Sequence, residues 1–323
     1  MGWLKIRKTK RQKRVFSAFE TLRRKFLRFK IITLSVIAVL AISLFAVVYM
    51  NWDYLLFKTL ISRHYIHTET LDEMFATHLG IDPQGRYSRY FDNLVISIVT
   101  SEIRQTGGDP YTFLLSPTQR TTLDERIVEE AARANVEEIA TGIGLLTLPN
   151  ISPYTQDFVR NNRNKIAEFD SLILDLRGNL GGELSAAQAI AGHFLPRGDT
   201  INYEQARWNL FSRQRRSRGR QTFEFDQIVI LQDAFTASSA EVLIGALQAN
   251  LENVTTIGET SFGKAVGQVM IPLRRGFAVN STAILIQTAA GEDIHGIGIV
   301  PDIAESSTNA LDAAVEFLQG VRP

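Results

Sequence analysis

The sequence contains no cysteine. That absence excludes disulfides, thiolate catalysis and Cys-ligated zinc, and it is compatible with any redox compartment. Histidine is scarce, with five among 323 residues. There is no H-x-x-x-H spacing and no carboxylate cluster of the kind a metal needs, so neither metal nor cofactor is expected. His64, His67 and His78 fall in a stretch expected to be helical, His193 inside a helical pattern, and His295 among glycines near the end. None stands in a turn beside a strong partner, although a Ser/His/Asp triad through His295 stays open as an alternative. Internal repeats and low-complexity linkers are missing too. Acid is nearly absent from the first thirty residues, where Glu20 is the only carboxylate among many Lys and Arg.

What is present is ordinary in bulk: 45% hydrophobic and 21% charged residues. Such a composition rules out a mostly disordered chain but selects no function. The length suits one large domain, or a medium domain with accessory parts. The formal net charge of +1 hides a basic terminus followed by an acidic body. That asymmetry suits a segment facing phospholipid headgroups.

Residues 31–50 read IITLSVIAVLAISLFAVVYM, uncharged, with only Thr33, Ser35 and Ser43 as small polar residues. About twenty apolar residues at a rise of about 1.5 Å span a hydrocarbon core of about 30 Å. Lys and Arg crowd the side before the run, and Tyr49, Trp52 and Tyr54 mark the other end as an aromatic belt would. The positive-inside rule then expects residues 1–30 in the cytoplasm, 31–50 as a single-pass anchor and the rest outside the cell membrane. A cleaved signal peptide fits less well, because bulky residues stand where a small-x-small site belongs. A core helix would not be apolar without interruption. The basic segment could be a nucleic-acid arm, but beside a span lipid is the simpler partner, so no nucleic acid is expected.

From about 51 to 135 the pattern predicts helices, at Leu71–Leu79, Phe91–Ile103 and Leu123–Ala134, broken by the turn Gly107-Gly108-Asp109-Pro110. After Gly142 short apolar runs alternate with helical segments. Strands are expected at Ile143–Leu148 and in SLILDLRG, QIVILQD, VTTIG, GQVMIPL and FAVNSTAILIQT. Helices are expected at Pro153–Phe169 and in GGELSAAQAIAGHFL and SSAEVLIGALQANL. The alternation argues for an α/β core over residues 136–323. The stretch Arg207–Arg220 carries six arginines. It reads as a solvated hairpin or loop, or as a patch for acidic substrates or headgroups.

Three constellations can carry chemistry. DLRGNLGG, Asp175–Gly182, runs a buried strand through a glycine-rich turn into a helix. Such a turn lets backbone N–H groups approach negative charge, as phosphate or as an oxyanion. FTASSAE, Phe235–Glu241, lies between a strand and a helix. There a serine is either an N-cap or an exposed nucleophile at an elbow. GKAVGQ sets Lys264 and Gln268 four positions apart. A lone lysine in a glycine-flanked loop is usually just exposed. To act as a base it must be neutral, which an ordinary value of about 10.4 forbids without burial, and an amide such as Gln268 could orient it.

Together these motifs resemble the carboxyl-terminal processing peptidases, or tail-specific proteases. That family follows D-L-R-x-N-x-G-G with [ST]-A-S-x-x-E and then T-x-F-G-K-x-x-x-Q; here they read DLRGNLGG, TASSAE and TSFGKAVGQ. TAAGEDIHGIGIVPDI and GDPYTFLLSPTQ also resemble family segments, so the likeness spans about 105–305. The resemblance implies a crotonase/Clp-protease-like α/β core and a serine endopeptidase acting on protein or peptide substrates. Ser238 then matches the nucleophile, with Ser239 as rival: counting back from Glu241 favours Ser238, and spacing to the lysine favours Ser239. Lys264 matches the base and Gln268 its orienting residue. The oxyanion hole would use backbone N–H groups of Ser239 and of Gly181 or Gly182. The family usually inserts a PDZ domain where only about twenty-five residues separate Pro117 from Ile143, so none is expected here. That departure motivates the alternative of an inactive, membrane-tethered peptide-binding or scaffold protein. A crotonase-like acyl-CoA enzyme shares the fold but not the serine elbow or the lysine. The oligomeric state is left open, a homodimer being one option.

Overall fold

The computed structural model describes residues 10–67, 91–105, 108–208, 210 and 212–321. In chain order the elements are α1 (Lys10–Met50), α2 (Trp52–His64), α3 (Phe91–Gln105), β1 (Phe113–Leu115), α4 (Pro117–Ala131), β2 (Asn135–Ala140) and β3 (Ile143–Thr147). Then come α5 (Pro153–Asn161), α6 (Arg163–Ile166), β4 (Ser171–Asp175), α7 (Leu184–Phe194), β5 (Thr200–Ala206), β6 (Arg213–Arg216) and β7 (Gln227–Gln232). The last are α8 (Ser239–Asn250), β8 (Val254–Gly258), β9 (Val266–Pro272), β10 (Ala278–Gln287), β11 (Ile303–Ala304) and α9 (Ala310–Val321). The helix expected at Leu71–Leu79 lies outside the described residues.

One sheet has the order β11-β8-β7-β4-β3-β2, parallel throughout except for the antiparallel edge strand β2. β4 explains the arrangement. All five of its residues are buried, and alternate side chains enter different cores. Leu172 and Leu174 join a cluster with α7 and α8, whereas Ile173 faces Ala310, Ala314 and Leu318 of α9. A parallel strand covered on both faces needs this continuous apolar run, and each such side chain contributes about 1.5–3 kcal/mol on burial. The other sheet is antiparallel. β10 runs through its centre, pairing with β1, β9 and β5, and β6 closes the edge beyond β5. Helix α8 is buried from Ser239 to Leu247 and packs on α7 and β5, joining the two sheets.

Local chemistry moves several expected boundaries. The helix expected from Leu123 begins at Pro117 instead, because Ser116 and Gln119 form a reciprocal capping box with proline at the first turn. The single helix expected over Pro153–Phe169 breaks at Asn162, whose backbone (φ −97°, ψ 9°) leaves helical geometry. Within the region expected to be helical, after the expected turn at residues 107–110, Phe113–Leu115 adds an edge strand to the second sheet.

The N-terminal helix contains one segment, Phe16–Met50, long and apolar enough to cross a membrane by length and composition; its apolar side chains are exposed. The following helix α2 is fastened to the α/β body. Phe57 and Ile61 pack with Ile96, Val99 and Ile103 of α3 and with Ile271 and Val279 of the β9–β10 hairpin. Arg274 in that hairpin's turn pairs with Asp53 (3.1 Å), donates to the Tyr49 carbonyl (2.5 Å) and lies over the Tyr49 ring. At the far end of α2, Arg207 and Trp208 donate to the carbonyls of Ser62 and Arg63.

Candidate active site

The site grows from two turns at the C-terminal ends of adjacent parallel strands, β4 and β7. Asp233, just after β7, accepts from the N–H groups of Gly178, Phe235 and Thr236, each at 3.0 Å. Thr236 donates its hydroxyl to the Leu176 carbonyl (2.9 Å), and the Ala237 N–H donates to the Asn179 carbonyl (2.9 Å). The two turns are thereby stitched into one piece. Asp175 and Arg177 form an ion pair beneath them (2.6 Å), and Arg177 also donates to the Ser307 carbonyl.

Ser238 ends the second turn with φ 58° and ψ −119°. A side-chain-bearing residue pays about 1–3 kcal/mol to stay there, so the surrounding contacts must hold it. Ser238 is half-buried, and Ser239, the rival nucleophile, opens α8 with its hydroxyl buried and without a hydrogen-bond partner. Gly181 crosses directly against this elbow. A methyl group added there would stand 2.5 Å from the Ala237 carbonyl oxygen and 2.9 Å from Ser238 Cβ. The Gly181 N–H is engaged by Asn179 Oδ1 (2.8 Å). Gly182, at φ 144°, bridges to Ile151, but through the Gly181 carbonyl and the Glu183 N–H, not through its own N–H.

Glu241, fully buried, links this elbow to the lysine loop. Its Oε2 accepts from the Ser238 N–H (2.7 Å) and the Lys264 N–H (2.9 Å). Its Oε1 accepts from the Ser261 hydroxyl (2.6 Å) and the Gly263 N–H (2.7 Å). One carboxylate therefore fixes the backbone of both residues that matter most in the motif reading. Charge-assisted bonds of this kind are about twice as strong as neutral ones.

Lys264 is half-buried, and its ammonium lies over the Tyr111 ring, 4.6 Å from the centroid. Burial pulls its pKa below the ordinary lysine value, against the opposing charges of Asp109 and Glu241. Asp109 is itself buried and accepts from the Tyr111 N–H (2.9 Å) and the hydroxyls of Thr112 (2.7 Å) and Thr282 (3.0 Å). Its charge, together with burial as the larger cause, pushes the Tyr65 phenol up. Gln268 lies on β9, half-buried, with its amide donated to the Val266 carbonyl (3.2 Å).

The fold thus gathers Ser238, Ser239, Gly181 and Lys264 through direct contacts or through Glu241, while the bond described for Gln268 goes to its own strand. His295 is exposed, and its Nδ1 accepts from the Ala265 N–H (3.3 Å). A triad histidine uses Nδ1–H to donate to a carboxylate, so this bonding runs the opposite way. Sequence reading used Glu241 only to fix register and left Asp109, Tyr111 and Asp233 outside the site. The one available signal for Glu241 was an acid three residues after a helix-capping serine.

Residues 142–305, half of the chain, match the profile of Peptidase family S41. The chain belongs to peptidase family S41. Among family relatives it is 33% identical over 189 residues to a carboxy-terminal-processing protease of Bartonella bacilliformis, covering 56% of this chain and 43% of that one. It is 29% identical over 164 residues to carboxy-terminal processing protease CtpB of Bacillus subtilis, covering 50% of this chain and 34% of that one. The S41 chain thus spans less than half the length of these relatives. Its fold is similar to a lipoprotein from Streptococcus agalactiae (TM-score 0.66, 19% identity, 84% and 96% of the two chains). It is also similar to a photosystem II D1 C-terminal processing protease (TM-score 0.59, 17% identity, 80% and 93%). This S41 chain therefore has the mixed α/β fold of those structures.

Proposed function

We propose that this S41 chain is a membrane-anchored serine endopeptidase that cleaves protein substrates outside the cytoplasm with a Ser238/Lys264 dyad. The observation that carries the reading is the shared Glu241 carboxylate, which ties the N–H of Ser238 and the N–H of Lys264 to one oxygen. The lowered pKa of Lys264 supplies a second support, since a base must be neutral to accept a proton.

In this mechanism neutral Lys264 takes the Ser238 hydroxyl proton as Oγ attacks the scissile carbonyl. The oxyanion rests on the N–H groups of Ser239 and Gly182; Gly182 is preferred to Gly181, whose N–H is already donated to Asn179. Protonated Lys264 returns the proton to the leaving amine, and water then releases the acyl group by the same steps. Gln268 is assigned to orient Lys264 once substrate fills the cleft. In this reading the catalytic core, residues 136–323, has the crotonase/Clp-protease topology without a PDZ domain. Residues 51–135 form the expected N-terminal region, although Asp109 and Tyr111 reach the lysine. Residues 31–50 are the anchor, with 1–30 on the cytoplasmic lipid surface.

The test is cleavage of an unfolded protein by the full chain in detergent. Ser238→Ala and Lys264→Ala should each abolish cleavage while Ser239→Ala retains it. Cleavage that survives Ser238→Ala, or that is missing from the wild type, refutes the assignment.

A further inference from the structure

The arginine-rich stretch after β5 is not spent on fold. β6 pairs with β5 as the edge of the second sheet, and with the first turns of α7 it encloses an open pocket of about 960 Å³. Arg213, Arg215, Arg216 and Arg218 line one side, and Ser185 and Gln188 the other. Among the described residues, one of these charges is neutralised. Arg215 pairs with Glu204 (2.7 Å), which also accepts from Gln188 (3.1 Å). Arg216 donates to the Gly198 carbonyl and the Gln214 amide oxygen, both neutral. Among the described residues, Arg213, Arg216 and Arg218 have no carboxylate in ion-pair range. Three guanidinium groups with unspent charge, beside a fixed amide, suit carboxylates. Arginines on an edge strand also discourage unwanted sheet pairing, but that task needs no pocket walled by a helix.

The position of the pocket names its occupant. Its helical wall follows immediately on Gly181 and Gly182, the turn that presses on Ser238. Ser185 and Gln188 lie three and six residues beyond Gly182, about 5–9 Å along the helix. An extended polypeptide advances about 3.3 Å per residue. The arginines spread along this helix, Arg213 and Arg215 beside Glu204 and Gln188 and Arg218 next to Gly219, which packs on Gly192 about 15 Å beyond Gly182, so a substrate strand crossing Ser238 reaches them over about three to six residues.

We propose that this pocket is an acidic subsite, in which substrate carboxylates a few residues from the scissile bond dock on Arg213, Arg216 and Arg218. The inference rests on the peptidase reading above. The carboxylate can belong to Asp or Glu side chains or to a free C-terminus, and the test separates these sources.

The experiment uses the full chain in detergent and quenched fluorescent peptides of one sequence. They carry Asp-Asp or Ser-Ser at about three to six residues from the cleavage point, each with a free or an amidated C-terminus. The comparison variant replaces Arg213, Arg216 and Arg218 together with Gln. Wild type should prefer the acidic peptides by about 10- to 100-fold in kcat/KM, chiefly through KM, as a few partly screened ion pairs provide. The triple variant should lose that preference and cleave the neutral peptide as before. Preference that tracks the free C-terminus assigns the terminal carboxylate, and preference that tracks Asp-Asp assigns side chains. Binding of the same peptides to Ser238→Ala, read by fluorescence anisotropy, follows the subsite without catalysis. Selective acidic binding lost in the arginine variant supports the pocket even if the dyad assignment fails. Equal handling of acidic and neutral peptides by the wild type overturns the proposal. So does equal loss of both in the variant.

Discussion

Replacing Glu241 with Gln tests the linkage between elbow and lysine loop most directly. The carboxylate accepts four donors, two on each oxygen. A glutamine has one oxygen and an amide group that cannot accept. If the amide takes the Oε2 place, the N–H groups of Ser238 and Lys264 are both stranded. If it takes the Oε1 place, the amide can donate to the Ser261 oxygen, which still receives the Ile299 N–H (2.7 Å), while the Gly263 N–H and the Ser261 O–H lose their acceptor; the amide then keeps a partner that the first orientation denies it. The second orientation is therefore favoured. It costs about 1–3 kcal/mol for each of the two stranded donors and about 1 kcal/mol for each bond that loses its charge. Part of this returns because a neutral amide is cheaper to bury than a carboxylate. The net loss should be about 3–6 kcal/mol in urea unfolding of the detergent-solubilised chain, followed by tryptophan fluorescence. Cleavage should fall by about 10- to 100-fold rather than vanish, because Ser238 and Lys264 keep an acceptor but lose its rigidity. Glu241→Ala strands all four donors, about 4–12 kcal/mol, and should give no folded protein. A Gln variant within about 0.5 kcal/mol of wild type, the scatter of neutral surface changes, and equally active would refute the reasoning.

The remaining predictions concern neighbouring parts of the site. Because the folded pKa of Lys264 is depressed, the native state binds fewer protons than the unfolded chain between the two values, so stability rises with pH there. Lys264→Met should then be more stable than wild type near neutral pH, with the gap closing as pH rises toward the unfolded lysine value of about 10.4; a gap in Tm that does not change with pH contradicts this. Ser238→Gly should be inactive yet more stable than Ser238→Ala by about 1 kcal/mol, because only glycine relaxes at φ 58°; thermal melts in the opposite order would show that the elbow is unstrained. Gly182→Ala would put a methyl carbon 2.0 Å from the Ile151 carbonyl oxygen at φ 144°, and soluble yield and Tm should drop sharply, whereas a wild-type melt would disprove that close approach.

What the sequence made legible was whatever local pattern controls. SLILD announced a strand buried on both faces, since an apolar run this short that leads into a glycine-rich turn is too brief for a core helix. DLRGNLGG and TASSAE were readable as turns because glycine and small hydroxyl residues are needed where backbones meet. The boundary at Pro117 was also written locally, in Ser116, Pro117 and Gln119, though apolar periodicity alone began the helix six residues late. β1 was not legible: a three-residue edge strand owes its conformation to pairing with β10, more than 160 residues away. For the same reason the convergence of Asp109 and Tyr111 on Lys264 could not be read, nor the return of the Ser261–Lys264 loop to Glu241. Those contacts are properties of topology, whereas the motif residues themselves follow from backbone geometry.

Helix α2 is pinned at both ends, by Arg274 on Asp53 and Tyr49 and by Arg207 and Trp208 on Ser62 and Arg63. A flexible leash of its thirteen residues would let the body wander over about 20 Å. Pinned, and with residues 31–50 standing in a bilayer as proposed, the body has a fixed altitude and a fixed heading above the lipid. Neighbours in the same membrane then offer only the stretch of chain that passes at that height. Ruler and compass become part of selectivity: a substrate with the right residues but the wrong stem length goes uncut, and inserting a few residues after Met50 changes the menu without touching the cleft.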